Sequence, residues 1–344
     1  MKSLPQSDPS AGNPLADLQP ARVQFIQQSF PEVLGDTRPA APGEGLGRKT
    51  QNVIRWIHDR LFVDGWQMPA VRAELGRALR NVRTIAVTSG KGGVGKTTFS
   101  VNLAVAFARL GGRVLVFDAD LGMANVHVFA GINPAATLLD VIDRRANLRD
   151  VIEAGPGGIS VVCGASGVSR LAGLTVPVIE ALGRELLAAA SAFDVLIIDT
   201  GAGISPMVTH FLGLVQDAIV VATPNLAATL DAYGLVKVVH ESRLATRMHV
   251  LINQVEDEEQ GARVMERITG CASRFLEMPL GDLGCLFRDP AFEQANQKRR
   301  PLVALDPVNE NAQRITQIAM QLSAPAAAAR KHAPQAAAAK HAAA

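Results

Sequence analysis

The chain has 344 residues, enough for one large α/β domain with appendages or for two domains. Its charges nearly cancel, 34 Lys and Arg against 32 Asp and Glu, so no global field steers it toward nucleic acid or membrane. The three cysteines (Cys163, Cys271 and Cys285) lie far apart with no C-x-x-C pair, which speaks against a zinc site or a disulfide framework, and no run is apolar for the length of a spanning helix.

Residues 1–47, rich in Pro, Gly, Gln and Ser, read as a flexible arm. The start, MKSLPQSDPSAG, lacks the apolar stretch of a secretory leader, so a cytoplasmic protein is expected. Residues 48–82 read as a basic helical extension. Val53, Ile54, Trp56, Ile57 and Leu61 share one side of a helix, and Gly65 ends that run. Val71, Leu75, Ala78, Leu79 and Val82 then form a second stripe, with Arg55, Arg72, Arg77, Arg80 and Arg83 on the polar faces. The simplest role is a hairpin packed on the domain that follows; docking to a partner or to an anionic surface is the alternative.

Residues 83–322 alternate between strand and helix. Strand-like runs are Ile85–Thr88, Val114–Phe117, Ile159–Cys163, Val195–Ile198, Ala218–Ala222 and Val250–Ile252. Continuous apolar runs of this kind suit parallel strands covered on both faces. The expected fold is α/β: a doubly wound, mostly parallel sheet with helices on both faces, its ligand at the carboxyl ends of the strands. A last helix is expected over Asn309–Leu322. Residues 323–344 are an Ala-rich tail without bulky apolar side chains, read as disordered.

The chemistry concentrates after the first strand. Gly90-Lys91-Gly92-Gly93-Val94-Gly95-Lys96-Thr97 fits the phosphate-loop pattern G-x-x-x-x-G-K-[ST], and Thr98 opens the next helix. Glycines let successive backbone N–H groups curl around a phosphate without a Cβ in the way. In this pattern Lys96 reaches the β- and γ-phosphate oxygens of ATP, the Thr97 hydroxyl ligates Mg²⁺, and the helix adds its positive N-terminal end. Asp118 and Asp120, two residues apart at the end of the second strand, point to one side, and burying both calls for a cation. The run Val195-Leu-Ile-Ile-Asp199 is an apolar strand ending in an acid that holds Mg²⁺ through water. The glycine-containing Thr200-Gly201-Ala202-Gly203 after it can swing with the γ-phosphate.

Lys91 is a second lysine in the loop, and two close lysines repel unless phosphate charge lies between them. The form GKGGVGKTT resembles the deviant Walker A loop of the MinD/ParA group of P-loop ATPases. DADLGMANVHVFAG and DTGAGIS are similar to the switch regions of its FlhG/FleN branch, the flagellar-number regulators. Thr223-Pro224, Asp231-Ala232-Tyr233 and the stretch from Leu280-Gly281 to Arg300-Pro301 are similar as well, so the resemblance spans about residues 82–322. It implies that Lys91 reaches the nucleotide of a second subunit, that Asp120 orients the attacking water and Asp118 joins the Mg²⁺ shell. It also sets Asn253 against adenine, whose N6 and N7 need the donor and acceptor of an amide.

The resemblance further implies an ATP-dependent homodimer, slow and partner-stimulated hydrolysis, and control of the number or placement of flagella or another polar organelle. The implied partner is an FlhF-like GTPase or another polar regulator, with the protein cytoplasmic or peripheral at the inner membrane or cell pole. Two departures are His127 and Asn225, where the family has acids. Neither the short N-terminal helix that stimulates the GTPase nor a C-terminal membrane-targeting helix is evident. The alternatives are a ParA- or MinD-type positioning ATPase for DNA, the division site or a pilus or secretion apparatus, with Lys298-Arg299-Arg300 as a DNA contact, and a nucleotide-locked scaffold that hardly hydrolyses.

Overall fold

Thr84 to Ser89 are all buried, and that pattern sets the architecture. A strand with no solvent-facing side chain needs a layer of helices above it and another below. The computed structural model describes residues 81–167, 174, 176–244 and 246–323, all within the unit Pro69–Ala344. The expected arm over 1–47, residues 48–80 of the expected helical extension and residues 324–344 of the expected tail lie outside the described residues.

The strands are β1 (Arg83–Ser89), β2 (Val114–Ala119), β3 (Ile152–Ala154), β4 (Ser160–Val162), β5 (Val195–Ala202), β6 (Asp217–Ala222), β7 (Arg247–Val255) and β8 (Gly281–Phe287). They form one 8-stranded sheet in the order β3-β4-β2-β5-β1-β6-β7-β8. Among the described residues only β3 and β4 pair antiparallel. The helices are α1 (Lys96–Arg109), α2 (Val126–Phe129), α3 (Leu138–Ile142), α4 (Val176–Ala190), α5 (Pro206–Leu214) and α6 (Leu226–Glu241), then α7 (Glu258–Leu276), α8 (Pro290–Gln297), α9 (Leu302–Leu305) and α10 (Glu310–Ser323). Alternation along β1 divides them. Ile85 and Val87 join Phe99 and Leu103 of α1 and Ile315 and Ile318 of α10 in one core. Ala86 joins Phe211 of α5, Leu235 of α6 and Ile268 of α7 in the other. The sheet is doubly wound and turns about β1, since β2 lies beyond β5 on one side and β6 adjoins it on the other. That reversal opens a crevice at the carboxyl ends of the central strands.

Two strands fall outside the expected runs. The short β3 closes one edge. On the other edge, β8 reads Gly-Asp-Leu-Gly-Cys-Leu-Phe, and its register against β7 shifts between Val250 and Ile252. Gly284 sits there at φ +76, so a bulge breaks the apolar alternation that would have marked the strand.

β6 begins one residue earlier than expected, at Asp217, and the reason is electrostatic. The Asp217 side chain is fully buried, with Arg83 3.0 Å away. Arg247 donates to both of its oxygens at 3.0 and 2.9 Å, and His249 Nε2 lies at 2.8 Å. Burial pushes this carboxyl up, but the bonds from His249 and Arg247 and the Arg83 charge outweigh it and hold it below the usual range. One anion thus ties β1, β6 and β7 together at the end of the sheet away from the crevice.

His210 of α5 is 3 % exposed. Burial, with the Arg184 charge adding to it, brings its pKa from the ordinary 6.5 down to about 4. Between those values the unfolded chain binds a proton that the folded chain does not, so this contribution is intact above pH 6.5 and is lost as pH falls toward 4. The loss should reach about 3 kcal/mol. Urea denaturation at a series of pH values should give a shallower acid decline for His210→Phe than for the wild type; equal slopes would rule His210 out as the source.

Candidate functional site

The crevice is built by three loops. The first leaves β1 and enters α1. Gly95, its last residue, has φ 91 and precedes the helix with its Cβ position pointing at Asn253. A Cβ there would stand 2.4 Å from Asn253 Nδ2. At Gly90 a Cβ would stand 2.2 Å from the carbonyl carbon of Asp231 in α6, so the loop is pressed against that helix and admits no side chain. The Ser89 hydroxyl donates to the Lys91 carbonyl at 2.7 Å, and the Gly203 N–H donates to the Ser89 carbonyl at 2.8 Å, joining the loop after β5 to the start of this one. Lys96 is buried at the head of α1, whereas Lys91, Gly92 and Gly93 are exposed. The loop therefore presents backbone N–H groups, one inward lysine and one outward lysine, an anion cradle at a helix N-terminus.

Asp199 sits within β5 beside this loop and is 1 % exposed. The Thr97 hydroxyl donates to its Oδ2 and the Ser100 hydroxyl to its Oδ1, each at 2.7 Å. Burial raises its pKa to about 6, against the pull of Ser100, Thr97 and Lys96. Ser100 was not singled out by motif. Its signal is spacing alone: three residues after Thr97, it shares that residue's helix face.

Asp118 pairs in register with Asp199 across β2 and β5. It is wholly buried and accepts from the Asp120 N–H at 3.2 Å and the Val126 N–H at 3.0 Å. Burial and the neighbouring Asp199 hold its carboxyl well above the usual range, with the two N–H bonds pulling it down. Asp120, half-buried just past β2, accepts from the Met123 N–H at 3.2 Å. Its Oδ1 lies 3.5 Å from where a Cβ on Gly201 would stand. Of the two acids, Asp118 is wholly buried and Asp120 is partly exposed.

Asn253 ends its run on β7 with both ends of its amide engaged: Nδ2 donates to the Val94 carbonyl at 2.8 Å, and Oδ1 accepts from the Gln254 N–H at 2.9 Å. It borders a cavity of about 260 Å³ lined also by Thr98, Phe99, Phe287, Phe292 and Asn296. Gln254, in the same wall, has φ 60, a left-handed conformation uncommon for a residue with a side chain. Phe292, on α8, falls in the stretch 280–301 marked by resemblance but without a role; Gln254 was not anticipated. His127 lies on α2, its pKa lowered by burial and by Arg299. The Arg299 guanidinium is turned onto α2 and the turn after it, donating to the Val128 and Ile132 carbonyls at 3.4 and 3.2 Å. Asn225 caps α6, accepting from the Ala227 and Ala228 N–H groups at 2.9 and 3.3 Å.

The donor set suits magnesium. The Thr97 hydroxyl and the Asp199 carboxylate meet as hard oxygen donors, and no group of three or more His, Cys, Asp or Glu forms a metal cage among the described residues. An ion of this kind takes one or two protein oxygens and completes its shell with phosphate and water.

Residues 85–302 match the family described as the CobQ/CobB/MinD/ParA nucleotide binding domain. The antiactivator FleN of Pseudomonas aeruginosa is 40 % identical over 223 residues, 65 % of this chain and 80 % of that protein. The flagellum site-determining protein YlxH of Helicobacter pylori is 31 % identical, over 70 % of this chain and 81 % of that one. The septum site-determining protein MinD of Pyrococcus horikoshii, solved as its Mg-ADP complex, superposes with a TM-score of 0.61 at 25 % identity, over 70 % of this chain and 96 % of that one. With a family model matched over well more than half its length and its phosphate loop at the carboxyl edge of a doubly wound sheet, the chain belongs to the MinD/ParA family of deviant Walker A ATPases, which use ATP and magnesium.

Proposed function

We propose that this protein is an ATP-dependent dimerising switch of the FleN type that sets the number or placement of flagella. The observation that carries the reading is the pair of lysines in one phosphate loop, Lys96 buried and Lys91 exposed. Lys96 and the N–H groups of Gly90, Gly92, Gly93, Val94, Gly95, Thr97 and Thr98 hold the phosphates of this subunit's nucleotide. Lys91 faces outward and serves the nucleotide of the second copy, where phosphate charge offsets the repulsion between lysines. The adenine base occupies the cavity between Phe287 and Phe292, with Asn253 at its edge. Thr97 and Asp199 would hold magnesium, and the ion, when bound, offsets phosphate charge; Asp118, whose two oxygens are taken by the Asp120 and Val126 N–H groups, is not one of its ligands.

Hydrolysis then rests on positioning. Asp120 accepts a hydrogen bond from the attacking water and sets it in line with the γ-phosphorus. Lys96 and the loop amides stabilise the charge on the departing phosphate oxygens. Gly203, tied to Ser89, lets the loop after β5 respond to the γ-phosphate. Loss of that phosphate opens the dimer, so the reaction acts as a timer for partner binding.

Light scattering with ATP against ADP should show dimers only with ATP. Lys91→Ala should weaken them by tenfold or more, and Asp120→Ala should slow single-turnover cleavage about 100-fold and prolong them. A protein that stays monomeric with ATP would defeat the proposal. The MinD likeness favours a second reading, division-site placement. Deletion in the encoding organism separates the two: altered flagellar number with normal septa supports the first, and misplaced septa with normal flagella the second. Ser100→Ala should leave one Asp199 oxygen without its donor and lower the stability of the nucleotide-free protein by about 2 kcal/mol in urea denaturation.

A further inference from the structure

The loop between β2 and α2, residues 120–125, carries Asp120 and is held at both ends by one side chain. Asp118 Oδ1 accepts the Asp120 N–H at 3.2 Å, where the loop begins. Its Oδ2 accepts the Val126 N–H at 3.0 Å, where the loop ends and α2 starts. The carboxylate is fully buried and lies in the strand register, so it cannot follow the loop outward. Gly164, after β4, packs directly over it: a Cβ there would stand 3.4 Å from the Asp118 carboxyl carbon and 2.6 Å from the Ala124 side chain. The Ser166 hydroxyl donates to the Ala124 carbonyl from the same side. Both carboxylate oxygens are therefore used by the main chain of the loop that presents Asp120.

We propose that Asp118 is a positioning residue for hydrolysis: by clasping the N–H groups of Asp120 and Val126 it fixes the loop that aims the Asp120 carboxylate. This rests on the reading of Asp120 as the group that orients water. The clasp needs two acceptors in one rigid plane. Asparagine keeps the size and one acceptor, but its NH₂ faces an N–H and the second bond is lost. A buried N–H left facing an NH₂ loses its acceptor and stays unsatisfied, which loosens the loop by roughly 10- to 100-fold in opening equilibrium. The nucleotide cradle is built from other residues and should be untouched.

The test uses the full-length protein as wild type, Asp118→Asn, Asp120→Ala and the double variant. Asp118→Asn is expected to cut the single-turnover rate about 10- to 100-fold while the affinity for ATP and the magnesium concentration for half-saturation stay within threefold. The double variant should be no slower than Asp120→Ala, because a residue acting through Asp120 has nothing left to position. Hydrogen exchange of the nucleotide-free protein gives the second readout: the Asp120 and Val126 amides should be protected in the wild type and exchange at least about tenfold faster in Asp118→Asn. Effects that multiply in the double variant, or a tenfold rise in the magnesium requirement, would show direct action at the nucleotide and overturn the proposal. So would unprotected amides in the wild type, a measurement that holds even if Asp118→Asn does not fold. Full activity in Asp120→Ala would instead defeat the reading of Asp120, and the exchange data would still decide for or against the clasp.

Discussion

Two carboxylates, Asp118 and Asp199, are buried side by side in register on paired strands, and the site is arranged to make that arrangement stable. Burying like charges together is costly without donors or a cation. Each carboxylate is met by donors from a different loop. Asp199 takes the hydroxyls of Thr97 and Ser100 from the first turns of α1. Asp118 takes main-chain N–H groups from the loop before α2. The acids thus anchor the phosphate loop and its neighbour to adjacent strands of the sheet.

The same economy appears around the glycines. Gly90 is pressed against the backbone of α6, and Gly95 against the Asn253 amide, which itself bonds to the Val94 carbonyl. The loop is fixed from α6 on one side and β7 on the other, and Ser89 and Gly203 link it to β5. A cradle of main-chain amides binds an anion well only if it keeps its shape before the anion arrives. Here the shape is set largely by groups outside the motif, Asp231, Asn253 and Gly203, that lie far along the chain from it.

What could be read from sequence was what is encoded locally. The phosphate loop, the Asp118–Asp120 spacing and the apolar run into Asp199 state their geometry within a few residues, and the buried central strands followed from continuous apolar runs. What escaped has partners far along the chain. Asp217 lay outside the expected strand run, because Arg83 and Arg247, which neutralise it, lie 134 and 30 residues away along the chain. Ser100 has no motif of its own, and the carboxylate it serves lies 99 residues on. The bulge at Gly284 concealed β8. Asn253 was marked for a base, yet its amide also braces the loop, a contact between residues 159 apart.

Charge makes the last step. Within one subunit the crevice sets a single buried lysine, Lys96, against three acids, Asp118, Asp120 and Asp199, and must still accept a polyanionic triphosphate. Two sources of positive charge suit that imbalance. One is a divalent cation at Thr97 and Asp199, where hard oxygens converge. The other is a lysine that does not crowd Lys96 in its own subunit, which in the proposed dimer is the exposed Lys91 of a facing copy. A subunit completed by its partner's lysine is short of charge when alone and sufficient when paired, so under the proposed reading association and triphosphate binding become one equilibrium. That linkage makes γ-phosphate loss an effective release signal: removing the group that most needs the second lysine removes the reason for the pair.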